Sequence, residues 1–105
     1  PEGPVQPGGA VPRLMRQYKN LCADTSAGSG HNALTRDPSF GIEFLDEFQD
    51  RILFGTDSCA RSDVNGMNRN AAFLKDLRVN KKLSAAALDK IEYRNALRIL
   101  NLNNM

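Results

Sequence analysis

Apolar residues recur at helical spacing in four parts of the chain and predict four helices. The first begins at Pro12, because proline suits the first turn of a helix. The second follows Asp37 and Pro38, which form an N-cap and a first helical position. The third covers residues 70–79, and the last follows the N-cap residue Ser84. The apolar stripe of this last helix consists of Leu88, Ile91, Ala96, Ile99 and Leu102.

Two short runs between these helices predict strands. Residues 21–27 (LCADTSA) are partly β-branched and are bounded by asparagine and glycine. Residues 52–55 (ILFG) form a continuous apolar run, which is typical of a strand buried on both faces. Because a helix connects the two runs, we expect parallel strands with a right-handed crossover. We expect polar loops at residues 28–36 and 60–67.

The predicted order is helix, strand, helix, strand, helix, helix. Two parallel strands alone do not form a sheet that can bury both of its faces. The pattern therefore predicts that the chain is part of a larger α/β structure. Residues 1–10 contain three prolines and three glycines and predict a loop. The first residue is proline and not methionine, so we expect a processed chain or a part of a longer one.

Composition and charge narrow the class of protein. The chain has 105 residues, 41% hydrophobic and 25% charged, which suits one folded domain and excludes wholesale disorder. Residues 1–60 contain five basic and eight acidic side chains, and residues 61–105 contain nine basic and four acidic. The net charge of +2 and the few aromatic residues argue against nucleic-acid binding. No apolar run approaches a membrane span, and two cysteines without a disulfide-scaffold composition favour a reducing, cytoplasmic location.

A carboxylate directly after the second predicted strand is the most unusual feature of the sequence. Asp57 follows ILFGT, at the carboxyl end of a buried parallel strand, where α/β barrels place their catalytic groups. Asp57 is therefore a candidate metal ligand or general base. The structural alternative is a carboxylate that caps the following loop or pairs with an arginine. Position on a strand does not by itself decide between them.

The segment DRILFGTD, residues 50–57, resembles the last barrel strand of the amidohydrolase superfamily. More narrowly, it is similar to the amidohydrolase-related group of metal-dependent hydrolases and non-oxidative decarboxylases. Residues 18–51 resemble the seventh strand with its loop and helix, and KIEYRNALRILNL, residues 90–102, resembles the closing helix. The resemblance covers nearly all of residues 11–102. It implies that residues 1–105 are a single C-terminal fragment of a (β/α)8 barrel, with strands 7 and 8 and their helices, from a barrel of about 250 residues.

The resemblance also implies a chemistry. Members of the family bind a divalent metal, often zinc, and the aspartate that matches Asp57 contacts the metal and accepts a proton from its bound water. Their other ligands are a His-x-His pair on the first strand and histidines on the fifth and sixth, and this sequence contains none of them. The single histidine, His31, does not match a ligand position. One carboxylate does not hold zinc, so we expect this fragment to be inactive alone.

The intact protein is then expected to hydrolyse a C–N or C–O bond of a small molecule, or to decarboxylate an aromatic or unsaturated acid. The partners implied are that substrate and either the rest of the same barrel or a second copy of the chain, because unpaired strand edges attract other strands. The alternative is a small non-catalytic α/β module that packs on a protein partner and retains Asp57 only as structure.

Four further positions receive specific expectations. His31, in the predicted loop, either contacts substrate or is an exposed side chain. Asp24 either points into the barrel or pairs with Arg51. Asn95 lies beside the apolar stripe of the last helix and is expected to bond a loop backbone. The two cysteines lie at opposite ends of neighbouring strands, which predicts that no disulfide forms.

Overall fold

The computed structural model describes residues 1–59 and 64–102 of the chain. Helices and short strands alternate in its first part, and helices follow. A π-helical turn, Lys90–Arg94, joins the last two helices into one continuous helical segment. The elements in chain order are α1 (Ala10–Gln17), β1 (Ala23–Asp24), α2 (Ala27–Thr35), α3 (Pro38–Glu47), β2 (Ile52–Leu53), α4 (Val64–Val79), α5 (Ala85–Asp89) and α6 (Asn95–Ile99).

β1 and β2 pair in parallel, as predicted, with Ala23 opposite Ile52 and Asp24 opposite Leu53. The backbone N–H of Thr25 extends the pairing by donating to the carbonyl of Leu53 at 3.0 Å. Each strand is only two residues long, whereas the sequence predicted strands over residues 21–27 and 52–55. The described residues give each strand one neighbour, so a ladder forms on one edge only. The described part of the chain is thus a mixed α/β structure.

The predicted polar loop at residues 28–36 was wrong, because α2 occupies Ala27–Thr35. The sequence of α2, AGSGHNALT, lacks the repeated apolar spacing that predicts a helix. Leu34 is its only buried residue. Gly30 lets α2 lie against the end of β1, since a Cβ there would stand 2.2 Å from the carbonyl oxygen of Thr25. The second predicted loop was also partly wrong. Residues 64–67 belong to α4, and residues 60–63 lie outside the described residues.

The predicted start of α3 is confirmed. Asp37 is the N-cap and accepts a hydrogen bond from the backbone N–H of Phe40 at 3.3 Å, and Pro38 is the first helical residue. Close packing of α2 against α3 occurs at Gly41. A Cβ at Gly41 would lie 2.0 Å from the carbonyl oxygen of Leu34, so the backbones of α2 and α3 touch here. Any larger residue must push the two helices apart.

The last helical segment begins at the predicted cap, but its apolar stripe differs from the predicted one. Ser84 caps it by accepting from the backbone N–H of Ala87 at 3.1 Å. The π-helical turn then adds a residue to one turn and rotates the residues that follow about the helix axis. As a result Asn95 is fully buried, whereas Ile99 and Leu102, predicted in the apolar stripe, are 43% and 36% exposed.

One hydrophobic core holds these elements together and contacts one side of the sheet. Its residues come from five of the helices, from β2 and from the π-helical turn, together with two positions outside these elements. They are Met15, Leu34, Leu45, Phe48, Ile52, Leu74, Leu77, Leu83, Ala87, Leu88 and Ile91. No helix within residues 1–59 or 64–102 is long and apolar enough to cross a membrane.

Candidate functional site

The residues that follow the two strands lie together at one edge of the sheet. Because the strands are parallel, their carboxyl ends meet there. The backbone N–H of Ala27, after β1, donates to the carbonyl of Thr56, after β2, at 3.3 Å. This bond continues the alignment of the two chain segments beyond the last strand residues. Asp57 is the next residue and is exposed at this edge.

A hydrogen-bonded pair from the β1 side covers Gly55. One carboxylate oxygen of Asp24 accepts from the backbone N–H of Ser26 at 3.0 Å and from its hydroxyl at 2.6 Å. A Cβ at Gly55 would lie 2.2 Å from the Ser26 hydroxyl oxygen and 2.8 Å from the same Asp24 oxygen. Glycine is therefore the residue that lets these two polar side chains lie over the end of β2, two positions before Asp57.

The open alternatives for Asp24 are partly resolved. Arg51 does not pair with it, because the Arg51 guanidinium donates to the carbonyls of Tyr18 and Leu21, each at 3.0 Å. Asp24 is exposed at the carboxyl edge, and its carboxylate accepts hydrogen bonds from the backbone N–H and the hydroxyl of Ser26. The proposed Asp24–Arg51 ion pair was wrong. Whether Asp24 points into a barrel stays a prediction.

Asp57 has a left-handed backbone, with φ of 55°. Aspartate and asparagine tolerate this conformation better than most residues with a side chain. Its carbonyl oxygen accepts from the Cys59 thiol at 3.6 Å, and the backbone N–H of Ser58 donates to the Thr56 hydroxyl at 3.4 Å. The chain therefore turns at once after β2 and leaves the Asp57 side chain exposed. An exposed carboxylate in this place can bind a cation or accept a proton, and its catalytic role stays a prediction.

The described residues do not form a metal site by themselves. Within residues 1–59 and 64–102, no three side chains of the histidine, cysteine, aspartate and glutamate types come together as a metal would need. His31 lies in α2 and is half-buried, rather than exposed on a loop. A zinc site needs three or four protein ligands, so the oxygen chemistry of Asp57 suits a divalent metal only with ligands from elsewhere.

Two buried asparagines, one in α4 and one in α6, donate hydrogen bonds to backbone carbonyls in or next to the strands. Asn95 donates to the carbonyls of Gln49 at 2.6 Å and Ile52 at 2.9 Å, which confirms the predicted bond to loop backbone and adds one to β2. Asn70 donates to the carbonyl of Thr25, at the carboxyl end of β1. This role of Asn70 was not predicted from the sequence. The available signal was an amide side chain next to an apolar helical stretch, the same signal that identified Asn95.

Two acidic groups with clearly shifted pKa values belong to helices and not to the carboxyl edge. Backbone N–H groups of Val5 and then Phe40 donate to Asp37 and lower the pKa of its carboxyl. The hydrogen-bonded guanidinium of Arg16 lowers the pKa of Glu47, with N–O distances of 2.7 and 2.8 Å. Both carboxylates are ionised at neutral pH and serve as fixed acceptors.

Cys22 and Cys59 are both exposed and are not joined in a disulfide, in agreement with the prediction.

Comparison with known proteins gives one match. A model of a protein family described as amidohydrolase matches residues 7–102, which is nearly the whole chain. No curated protein and no solved structure matches this chain.

Proposed function

Because the chain belongs to the amidohydrolase family, we propose that it forms the last two strands of a (β/α)8 barrel and provides Asp57 to the active site of a metal-dependent hydrolase. The observation that supports this most is the position of Asp57. It follows β2 directly, at the edge where the residues after both parallel strands meet. Catalytic groups of such barrels come from this edge, because the loops after the strands are free to vary there.

The role proposed for Asp57 is that of a proton acceptor. Its carboxylate is exposed, so a substrate and a water molecule can reach it without a change of the fold. A bound divalent metal, for which zinc is the family expectation, would supply a water of lowered pKa and a Lewis acid. Asp57 takes a proton from the attacking water and returns it to the leaving group of a C–N or C–O bond. Decarboxylation of an aromatic or unsaturated acid is the alternative reaction at the same site.

The local structure fixes where Asp57 can act. Ala27 is bonded to Thr56, and the Asp24–Ser26 pair covers Gly55, so the segment before Asp57 is held from the β1 side. A general base must lie within hydrogen-bond reach of the proton it removes. A fixed backbone before Asp57 helps to keep its carboxylate in position relative to the attacking water. Asp24 brings a second carboxylate to the same edge.

We expect removal of the metal to abolish turnover of the protein that contains the whole barrel. Dialysis against a chelator should remove hydrolytic activity, and added zinc should restore it, because Asp57 alone does not polarise a water. The 105-residue chain should retain no tightly held zinc after dialysis and show no turnover. Elemental analysis checks the first point. One tightly held equivalent of zinc per chain would contradict the ligand argument.

We also expect the isolated chain to associate. In the described residues each strand has one paired edge and one open edge, and unpaired edges attract other strands. Burial of apolar surface is worth about 25 cal/mol per Å², so a few hundred Å² favours association by several kcal/mol. Among the side chains whose burial the structure describes, the exposed large hydrophobic ones are Val11, Tyr18, Leu21, Val79, Tyr93, Ile99, Leu100 and Leu102.

Size exclusion with light scattering at low micromolar concentration measures this association. The expected result is a mass above 11.6 kDa, or aggregation, that the remaining barrel strands suppress when they are supplied. A single 11.6 kDa species that unfolds cooperatively would contradict the proposal and would favour a stand-alone module.

A further inference from the structure

A cavity of about 490 Å³ lies between the first residues of the chain and helices α1, α2 and α3. Its size falls within the range of small-molecule sites, which is roughly 300–1,000 Å³. Leu34 of α2 and the two phenylalanines Phe40 and Phe44 of α3 give it an apolar wall. The two rings are stacked, with their centroids 6.0 Å apart. The cavity thus offers an aromatic surface to an apolar ligand.

Residues 5–9 form another wall of the cavity, and three hydrogen bonds hold the segment of residues 1–5 in place. The backbone N–H of Val5 donates to Asp37 at 2.9 Å. Asn32 donates to the carbonyl of Pro1 at 3.2 Å, and Arg36 donates to that of Gly3 at 3.4 Å. The bond from Val5 is the main cause of the lowered pKa of Asp37, whose carboxylate is charged at neutral pH. The proline- and glycine-rich segment is therefore attached to the junction of α2 and α3.

The charged side chains that line the cavity are all arginines, and two carboxylates, Asp37 and Glu47, lie beside it. Arg13, Arg16 and Arg36 line it, and no acidic residue is among the described residues of its lining. Glu47 compensates Arg16 through two hydrogen bonds. Arg36 donates one hydrogen bond to the carbonyl of Gly3, and its charge helps to lower the pKa of the neighbouring Asp37. Arg13 is in none of the ion pairs among the described residues. Two guanidinium groups thus have donors available, and guanidinium matches a carboxylate in shape and charge.

We propose that this cavity binds a small amphipathic carboxylate. Its apolar body packs on Leu34, Phe40 and Phe44, and its carboxylate pairs with Arg13 and Arg36. Asp57 does not line the cavity, so the proposal does not depend on the proposed hydrolytic function. Binding here combines apolar burial with charge-assisted hydrogen bonds, which is the usual pattern of a small-molecule site.

Equilibrium dialysis of the chain against labelled decanoate tests the proposal, with decylammonium as the probe of equal length and opposite charge. Binding is counted per chain, since each chain has its own cavity in any state of association. We expect saturable binding of decanoate, about tenfold weaker after Arg13→Gln and about tenfold weaker for decylammonium. Lys75→Gln, on an exposed position of α4 outside the cavity, removes the same charge and should leave binding unchanged.

A second pair of variants tests the cavity itself. Ala33 is an exposed residue of α2 that lines the cavity, so Ala33→Phe should fill it and lower decanoate affinity by about tenfold. Ala72→Phe, on an exposed position of α4, adds the same ring elsewhere and should have no effect. Equal binding by the members of either pair, equal binding of the two probes, or no saturable binding by the parent would each overturn the proposal.

Discussion

Asp57→Asn is expected to lower kcat of the intact enzyme by about 10²–10⁴-fold, the usual contribution of a positioned general base. The amide has the shape of the carboxylate but neither accepts the proton nor faces a metal with a negative charge. The fold should persist, because Asp57 is exposed and asparagine tolerates its φ of 55° as readily as aspartate does. Steady-state kinetics together with the far-ultraviolet circular dichroism spectrum measures both effects.

Asp50→Asn is the matched control, because it makes the same change just before the amino end of β2. Asp50 is exposed and pairs with Lys90 at 2.9 Å, an interaction worth about 0–1 kcal/mol at the surface. Its substitution should leave kcat unchanged. Turnover of the Asp57 variant within about twofold of the parent would show that Asp57 is not catalytic.

Helix caps were predictable from the sequence because they depend on neighbours in the chain. Asp37 and Ser84 each bond a backbone N–H three residues later, and both were identified correctly. α2 was missed because its stability comes from one buried leucine, Leu34, and from glycine contacts with β1 and α3. The π-helical turn was missed because periodicity arguments assume a constant number of residues in each turn.

The candidate site shows the same division between local and distant information. A carboxylate after a buried strand is visible in the sequence, and Asp57 does lie at the carboxyl edge of a parallel pair. The bond from Asn70 to Thr25 joins residues 45 apart, so the local pattern marks the amide but does not specify its acceptor. The cover formed over Gly55 by Asp24 and Ser26 likewise depends on the pairing of β1 with β2.

Asn95→Ala is expected to lower the free energy of unfolding by about 2–4 kcal/mol. Asn95 is fully buried, and its amide donates to the carbonyls of Gln49 and Ile52. Alanine leaves both acceptors without this donor, and a buried unsatisfied acceptor costs about 1–3 kcal/mol. The change also removes one of the hydrogen-bonded links between the last helical segment and β2. Urea unfolding at one fixed protein concentration measures the effect, because association makes the midpoint depend on concentration.

Asn95→Leu separates the lost hydrogen bonds from the lost volume. Leucine fills the space but donates nothing, and it removes the Asn95 side-chain oxygen, which is buried without a partner among the described residues. Its stability should therefore lie between those of the parent and of Asn95→Ala. Asn20→Ala, at an exposed position, is the control and should change stability by less than about 0.5 kcal/mol. If Asn95→Ala changes stability as little as this control, the two hydrogen bonds from the Asn95 side chain do not stabilise the contact of the last helical segment with β2.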